Sequence, residues 1–254
     1  MLEIVSFTLG PAQTNAYLVA DPETKEAVVI DPAWDGHIIL AEAQKRGWRI
    51  GHLWYTHAHF DHIGGAGAIA DALNPLPLVA LHPNDHVLWR AGGGGALFGF
   101  DIDPGPEPTI DFVHGMKLRL GSNEFEVRFT PGHTVGHCIF YVANPGVRAP
   151  EMRRDYSERS DPIGEHSRSA LRLQASQQAL SLPLRANQGV CFCGDLIFAG
   201  SVGRTDLPGG NWETLEKSIR EQVYTLPDET RLLSGHGPET TVGEEKMNNP
   251  FVPG

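Results

Sequence analysis

The first half of the chain consists of short apolar runs separated by turn residues, a pattern typical of β-strands. Three intervening segments carry apolar residues at helical spacing, and Gly47 directly follows the first of them, where a glycine commonly ends a helix. The predicted strands are residues 2–9, 15–20, 26–31, 50–55 and 78–81, and the predicted helices are residues 35–46, 63–73 and 84–90.

Residues 91–109 break this pattern because they contain the run Gly92 to Gly95 and then prolines at positions 104, 106 and 108. Such a composition predicts an irregular loop that does not belong to the core. Two interpretations remain open for it, a plain connector and a cover over a bound substrate.

Apolar runs resume in the second half, and one segment, residues 211–225, carries Leu215, Ile219 and Val223 at intervals of four residues. That spacing gives a helix one apolar face. Because strands occur in runs with helices after several of them, the pattern favours a β-sandwich flanked by helices. The predicted strands are residues 116–120, 125–130, 138–142, 189–195 and 230–234, and the predicted helices are residues 211–225 and 241–248.

Residues 148–187 interrupt the second half with seven arginines against five acidic residues, opposite in sign to the rest of the chain. A helix is possible at residues 167–182. Forty residues are unusual for a plain connector. We expect a surface insertion within a single domain spanning residues 1–254, and the alternative is an arm that binds a partner or forms an oligomer.

Composition narrows the functional classes. The chain has 254 residues, 41% apolar and 20% charged, which is ordinary for a globular protein. A formal net charge of −11 argues against a nucleic-acid partner, which requires a basic face. No run approaches the roughly 20 apolar residues that span a bilayer, and the start of the chain lacks the features of a signal peptide. With three cysteines, the sequence predicts a soluble, cytoplasmic protein without a membrane partner.

The densest chemical signal is the segment Thr56 to His62, in which three histidines and one aspartate fall within six residues. The predicted strand 50–55 precedes the segment and a helix rich in small residues follows it. Imidazoles suit zinc and iron, and a carboxylate adds an oxygen donor. The segment predicts a metal site, against the simpler alternative of a polar surface loop. The four candidate ligands are His57, His59, Asp61 and His62.

Three further ligand-type residues stand beside a glycine near the end of a predicted strand, namely His133, Asp195 and His236. A glycine lets the backbone turn sharply near an ion. Loops at one end of a sandwich can meet in one pocket. Together with the four residues of the first segment, these three make seven candidate ligands, enough for two metals that share one carboxylate.

This pattern of His57-x-His59-x-Asp61-His62 with the later His133, Asp195 and His236 resembles the metallo-β-lactamase superfamily. The resemblance implies an α/β (α+β) chain folded as an αββα sandwich of two mixed β-sheets flanked by helices. It covers residues 2–250 apart from the insertion. The segments 200–210 and 235–246, with Asn249-Pro250-Phe251 behind them, are similar to glyoxalase II (hydroxyacylglutathione hydrolase) and its short relatives.

The resemblance implies a first metal held by His57, His59 and His133, and a second held by Asp61, His62 and His236, with Asp195 bridging the two. It also implies a catalytic role for Asp61 and Asp195, which would orient a metal-bridging hydroxide. The expected cofactors are two divalent ions, with zinc favoured over iron or manganese. The expected substrate is a small thioester of the S-lactoylglutathione type.

Two alternatives of the same fold stay open: a persulfide dioxygenase with a single iron, and a lactonase or other small-ester hydrolase. Glyoxalase II itself carries a C-terminal helical domain that binds glutathione, whereas this sequence ends at Gly254. The carrier thiol is therefore open, as is the oligomeric state. Arg204 is expected either to bind a substrate carboxylate or to brace its own loop.

Several residues near these motifs have simpler expected roles. Asp31 is expected to fix a loop, and His137 to lie behind the ligands or on the surface. Cys191 and Cys193 alternate along one predicted strand, which puts them on the same face as Asp195. Packing is the expected role of both cysteines, and a redox role near the metal is the alternative. The histidines expected to be ordinary are His52, His82, His86, His114 and His166.

Overall fold

The computed structural model describes residues 2–143, 179–181 and 188–254. Its first sheet has seven strands in the order β10-β1-β2-β3-β4-β5-β6. The strands from β1 to β3 pair antiparallel and those from β3 to β6 pair parallel, so the sheet is mixed. These strands are β1 Glu3–Leu9, β2 Thr14–Ala20, β3 Glu26–Ile30, β4 Arg49–Trp54, β5 Leu78–Leu81, β6 Ile110–Asp111 and β10 Ala179–Ser181.

The second sheet has six strands in the order β15-β14-β11-β9-β8-β7. Strands β11 and β14 pair parallel and the remaining neighbours pair antiparallel, so this sheet is also mixed. A small hairpin, β12 and β13, stands beside it. These strands are β7 Lys117–Leu120, β8 Asn123–Phe129, β9 Cys138–Val142, β11 Val190–Gly194, β12 Ile197–Phe198, β13 Ser201–Val202, β14 Arg231–Ser234 and β15 Thr240–Thr241.

Apolar side chains fill three layers, which arrange the molecule as helix, sheet, sheet and helix. Alternation along a strand divides the side chains: Val28 and Ile30 enter the layer between the sheets, whereas Val29 faces the outer helices. On the other side, Leu215 packs against the outer face of the second sheet. The predicted αββα sandwich is confirmed. The helices are α1 Gly36–Arg46, α2 Phe60–Ile63, α3 Ala66–Asp71, α4 His86–Arg90, α5 Trp212–Ser218 and α6 Val242–Asn248.

Several predicted helices differ from the observed ones in detail. The segment predicted as one helix at residues 63–73 forms two, α2 and α3, separated at Gly64 and Gly65. Both glycines press against the backbone of residues 32–34, which leaves no room for side chains and redirects the chain. The helix predicted at 84–90 begins with a 3-10 turn, Pro83–Asp85, and α5 continues into a π-helical turn, Ile219–Val223.

The loop at residues 91–109 is more ordered than predicted. Residues Gly92–Phe98 form 3-10 turns interrupted by a kink at Gly93 and Gly94, and Gly93 and Gly95 are buried against Phe60. A Cβ at Gly93, whose φ is 65°, would collide with the Phe60 backbone. The expectation of an irregular loop outside the core holds for most of this segment, which is exposed or half-buried. It fails at Gly93 and Gly95, because glycine permits a direct contact between two backbones.

The predicted insertion at residues 148–187 lies outside the described residues except for Ala179–Ser181. Those three residues form β10, which pairs antiparallel with β1. The helix predicted at residues 167–182 is wrong at this end, because the edge of β1 offers free backbone groups that favour pairing with a strand. Among the helices of the described part, none combines the length and apolar character needed to cross a bilayer.

Candidate metal centre

Four strands deliver the candidate ligands to one edge of the sandwich. Strand β4 leads into His57, β8 leads toward His133, β11 leads into Asp195 and β14 leads into His236. The three strands of the second sheet, β8, β11 and β14, have the same direction, since β11 is parallel to β14 and both β8 and β11 are antiparallel to β9. The carboxyl ends of such strands meet at one edge, where ligands commonly bind.

The first ligand group consists of His57, His59 and His133, whose donor atoms lie within 4.8 Å of one another. All three residues are buried. His59 Nδ1 lies 2.9 Å from His133 Nε2. Two imidazole nitrogens that approach this closely share a proton or face a common ion, so the geometry is that of ligands converging on one point.

The second ligand group consists of Asp61, His62 and His236, also within 4.8 Å of one another. Asp61 Oδ2 lies 3.6 Å from His62 Nε2 and 3.3 Å from His236 Nε2. His62 is fully buried, whereas the His236 side chain is 29% exposed. This group therefore reaches solvent at His236.

Asp195 lies between the two groups. Its Oδ2 is 3.6 Å from His133 Nε2 and 3.4 Å from His236 Nε2. Its Oδ1 is 3.3 Å from His62 Nε2. One carboxylate thus reaches a histidine of the first group and two histidines of the second, the position that a bridging ligand requires.

The donor atoms fit metal ions, because several of them make no hydrogen bond with the described residues, even where two of them are close neighbours. His57 Nε2, His62 Nε2 and Asp195 Oδ1 are buried without a hydrogen bond. Leaving buried polar atoms unsatisfied is costly, and native structures seldom tolerate several together. Imidazole and carboxylate are the donor types that bind zinc and iron, so two divalent ions would satisfy these atoms.

Hydrogen bonds behind the ligands fix which nitrogen faces the centre. His62 Nδ1 donates to Asp31 Oδ2 at 3.0 Å, and His133 Nδ1 donates to the Arg204 carbonyl at 2.7 Å. His57 Nδ1 lies 3.0 Å from the Thr56 hydroxyl, which itself donates to Asp31. Because the Nδ1 atoms of His57, His62 and His133 are engaged behind the centre, each of these rings turns its Nε2 toward the centre.

Asp31 acts behind the ligands rather than among them. Its oxygens lie close enough to His57 and His62 to form a possible ligand group. However, Oδ1 accepts a hydrogen bond from the Thr56 N–H, and Oδ2 accepts from the Thr56 hydroxyl and from His62. These bonds leave Asp31 to orient the loop, in agreement with the expectation from the sequence.

His137 is fully buried and holds the backbone of Asp195. Its Nε2 accepts a hydrogen bond from the Asp195 N–H at 3.2 Å, and its Nδ1 lies 2.9 Å from the Thr130 hydroxyl. Because the Nε2 lone pair is engaged, His137 is not available as a ligand. The alternative of a surface position is wrong, and the position behind the ligands is the one observed.

The two groups differ in charge. Burial lowers the pKa of His57 and His59, so the first group is neutral. In the second group, burial acts to lower the pKa of His62 and His236, but the Asp195 and Asp61 carboxylates outweigh it. The pKa of His62 is raised well above its ordinary value, and that of His236 is raised to about 9.

Asp85 belongs to this region although no motif marks it. Its side chain is buried and accepts hydrogen bonds from the N–H of Ala58, the hydroxyl of Thr134 and the N–H of Gly136. Asp85 stands in no glycine-flanked motif. The available signal was its place shortly after β5, a strand parallel to β4 and so ending at the same edge of the sheet.

Arg204 contributes its backbone to the centre and its side chain to the surface. The guanidinium donates two hydrogen bonds of 2.7 Å to Asp206, and both side chains are more than half exposed. This contact braces the loop of Arg204, which is one of the two roles expected from the sequence. Binding of a substrate carboxylate stays a prediction.

The prediction that the two cysteines share a face with Asp195 is wrong. Cys191 and Cys193 pack with Leu215 under α5, and burial raises the pKa of the Cys191 thiol to about 12. The alternation ends before Asp195 because Gly194 has a φ of 46°, which turns the chain toward the ligands. Neutral, buried thiols of this kind pack as small apolar groups.

Among the described residues, the histidines expected to be ordinary lie outside both ligand groups. His82 stacks on Phe129, and His114 accepts a hydrogen bond from the Phe129 N–H. His86 lies 3.2 Å from an oxygen of Asp111. His166 lies outside the described residues.

Comparisons with known proteins agree with this geometry. The sequence profile of the metallo-β-lactamase superfamily matches residues 9–147 and 175–236. The relative named Probable metallo-hydrolase YqgX, from Bacillus subtilis, is 32% identical over 250 residues, which cover 97% of this chain and 95% of that protein. Hydroxyacylglutathione hydrolase GloC, from Haemophilus influenzae, is 29% identical over 253 residues, which cover 99% and 97%.

Two solved structures are similar over nearly their whole length. The B3 metallo-β-lactamase BLEG-1 superimposes with a TM-score of 0.75 at 30% identity, covering all of both chains. TTHA1623, solved in a di-iron-bound form, superimposes with a TM-score of 0.69 at 34% identity, covering 96% of this chain and 98% of that one. This chain therefore belongs to the metallo-β-lactamase superfamily.

Proposed function

We propose that this chain, a metal-dependent hydrolase of the metallo-β-lactamase superfamily, cleaves a thioester of the hydroxyacylglutathione type with two divalent ions. The observation that carries the proposal is the pair of complete ligand groups with Asp195 between them. An enzyme of this fold that had lost hydrolytic chemistry would be expected to lack part of this set.

In this proposal, the first ion is held by His57, His59 and His133, and the second by Asp61, His62 and His236, with Asp195 shared. When bound, the two ions supply a water of lowered pKa and polarise the carbonyl of the substrate. Zinc is the proposed metal, and iron is the alternative because TTHA1623 was solved in a di-iron-bound form.

The chain itself orients the groups around the reacting atoms. The Thr14 hydroxyl donates to Asp61 Oδ2 at 2.8 Å, and His137 holds the backbone of Asp195. The first contact fixes the Asp61 carboxylate, and the second fixes the backbone from which the Asp195 carboxylate projects. Both carboxylates can then accept a hydrogen bond from the attacking water. A thiol has a pKa of about 8.5, so a thiolate leaves without a general acid. No further acid is therefore assigned.

The acyl-glutathione class is supported by two observations. GloC, whose name gives that activity, aligns over 99% of this chain. The segments 200–210 and 235–246 also resemble glyoxalase II in sequence. The complete second ligand group favours a dinuclear hydrolase over a dioxygenase, which uses a single iron.

β-Lactam hydrolysis is a second candidate because BLEG-1, a B3 metallo-β-lactamase, covers the whole chain. Both reactions begin with attack of water on a carbonyl carbon. They differ in the leaving group, a thiolate in one case and an amine, which needs a proton, in the other.

The test combines metal analysis with a panel of substrates. Protein purified without added metal is assayed by plasma mass spectrometry, then with S-lactoylglutathione, the same acyl group on coenzyme A, a lactone and a β-lactam. We expect two metals per chain and the highest kcat/KM for S-lactoylglutathione. His59→Ala should lose this activity, whereas His52→Ala, a matched substitution outside the centre, should retain it.

Other outcomes would redirect the proposal. One iron per chain with oxygen uptake on glutathione persulfide would replace the hydrolase by the dioxygenase. Equal activity on the glutathione and coenzyme A thioesters would keep the hydrolase but remove glutathione as its carrier. A preference for the β-lactam would establish the second candidate.

A further inference from the structure

Asp85 is a buried carboxylate that contacts two separate ligand loops. It ends the 3-10 turn Pro83–Asp85 and is completely inaccessible to solvent. Burying an ionisable group is costly unless hydrogen bonds compensate it. Asp85 has three such bonds, and every donor belongs to a loop that carries residues of the first ligand group.

The first contact joins Asp85 to the loop of His57 and His59. Its Oδ2 accepts a hydrogen bond of 3.1 Å from the N–H of Ala58, which stands between these two histidines. A displacement of Ala58 would move both imidazoles, because the loop has only one residue between them. Asp85 therefore fixes the backbone from which two ligands project.

The remaining contacts join Asp85 to the loop of His133. Its Oδ2 accepts a bond of 2.8 Å from the Thr134 hydroxyl, and its Oδ1 accepts one of 2.7 Å from the Gly136 N–H. A Cβ at Gly136 would lie 2.6 Å from the Asp85 carboxyl carbon. The absence of a side chain at residue 136 thus makes room for this carboxylate.

We propose that Asp85 is a positioning residue for the first metal, because its carboxylate holds the Ala58 segment against the Thr134–Gly136 loop and so sets how His57, His59 and His133 converge. The inference rests on the proposed metal centre. It predicts that Asp85 affects the metal affinity of the first ligand group but not that of the second.

The contacts of the second group explain this asymmetry. Asp61 is held by Thr14, and His62 is held by Asp31. His236 belongs to the loop after β14, which Asn15 braces through the Ser234 and Gly237 carbonyls. None of these hydrogen bonds involves Asp85. Loss of its carboxylate should therefore leave the second group in place.

The test measures zinc affinity with each ligand group isolated. His62→Ala disables the second group and reports on the first, whereas His59→Ala disables the first and reports on the second. Zinc is titrated into the full chain against a chromophoric chelator. Asp85→Asn keeps the shape of the side chain. However, it replaces one of the two acceptor oxygens by an N–H₂ group, which cannot accept a hydrogen bond from the loops. In the His62→Ala background, it should weaken zinc binding by about 10–100-fold, the range for groups behind metal ligands.

In the His59→Ala background, the same substitution should leave the zinc affinity unchanged. Asp21→Asn is the matched control, because Asp21 is also a buried carboxylate and accepts bonds from the N–H groups of Glu23, Thr24 and Ser122. It follows the end of β2 that lies away from Thr14 and the ligands. Asp21→Asn should leave zinc affinity unchanged in both backgrounds.

A second pair of variants separates hydrogen bonding from charge and guards against misfolding. Thr134→Val removes one bond to Asp85 without changing charge, and Thr134→Ser restores the hydroxyl. Valine should weaken zinc binding in the His62→Ala background, and serine should retain it. Circular dichroism of the metal-free proteins checks the fold.

The inference is overturned if folded Asp85→Asn binds zinc like its parent in the His62→Ala background, or if it loses equal affinity in both backgrounds. Should Asp85→Asn fail to fold, equal zinc affinities of the valine and serine variants at Thr134 overturn it instead. If the unmodified chain binds no zinc, the proposed metal centre fails and this inference falls with it. If the unmodified chain binds two zinc ions, the metal centre stands, and a negative result at Asp85 counts against this inference alone.

Discussion

The two ligand groups lie side by side but are built differently. The first is three buried, neutral histidines, with His133 oriented by the Arg204 carbonyl. The second combines Asp61 with two histidines and reaches solvent at His236, whose side chain is 29% exposed. The first group needs no proton release before it binds an ion, whereas the second retains protons on its histidines until an ion displaces them.

This difference separates two demands on a dinuclear centre. A neutral, enclosed group is ready for an ion over a broad pH range, because burial lowers the pKa of its histidines. A charged, partly open group is tuned by pH and by access from solvent. We expect the first site to retain its metal more firmly and the second to exchange more readily.

The largest expected effect comes from the residue that joins the two groups. Asp195→Ala removes the shared carboxylate, so both metals should bind more weakly and thioesterase kcat should fall by at least about 100-fold, the scale of losing one preorganised charge-stabilising group. Metal analysis and steady-state kinetics check both expectations. Near-full activity in metal-replete Asp195→Ala would remove the bridge from the mechanism.

Asp228→Ala is the control for that substitution. Asp228 pairs with Lys246 at 2.6 Å, and its side chain is 69% exposed. An exposed pair of this kind contributes about 0–1 kcal/mol to stability. Metal content and activity should therefore match those of the unmodified chain.

A reciprocal pair of variants tests whether the groups are separable. His59→Ala should empty mainly the first site and His62→Ala mainly the second, so each should retain about one metal per chain. Plasma mass spectrometry after dialysis against a weak chelator gives the stoichiometry. If either single substitution removed both ions, the two groups would form one cooperative unit.

The smallest and most specific effect is on pH dependence. In the metal-free protein the pKa of His236 is raised to about 9, so this histidine is protonated below that pH and must lose its proton to bind an ion. Zinc affinity of the second group should therefore rise as pH increases from 6 toward 9. The pKa of His57 and His59 is lowered, so affinity of the first group should stay nearly constant over that range.

Zinc titrations of His59→Ala and His62→Ala at several pH values provide the measurement. Calorimetry in buffers of different ionisation enthalpy counts the protons released by each variant. Parallel pH profiles for the two variants would contradict the assignment of charge to one group and neutrality to the other.

The sequence indicated all seven candidate ligands because chemical type and spacing mark them. Four fall within Thr56 to His62, and His133, Asp195 and His236 each stand beside a glycine. The alternating apolar runs also indicated the two layers of sheet. Both signals are local, since each depends on neighbours within a few positions along the chain.

The supporting residues carried no comparable signal. Asp85 and Ala58 are 27 positions apart, and Thr14 and Asp61 are 47 positions apart. A hydrogen bond between such distant segments depends on strand order and register, which spacing does not encode. For the same reason, the sequence did not indicate the contact that buries Gly93 against Phe60.

By itself, the sequence determined the donor chemistry of this protein, since histidines and aspartates at glycine-flanked turns suit divalent ions, and it determined the layered fold through apolar periodicity. Only the tertiary structure decided which donors share an ion-sized space, which nitrogen of each imidazole faces it, and which buried carboxylates stand behind. Those features arise where strands from distant parts of the chain end at one edge, because proximity there is set by the pairing of the sheets.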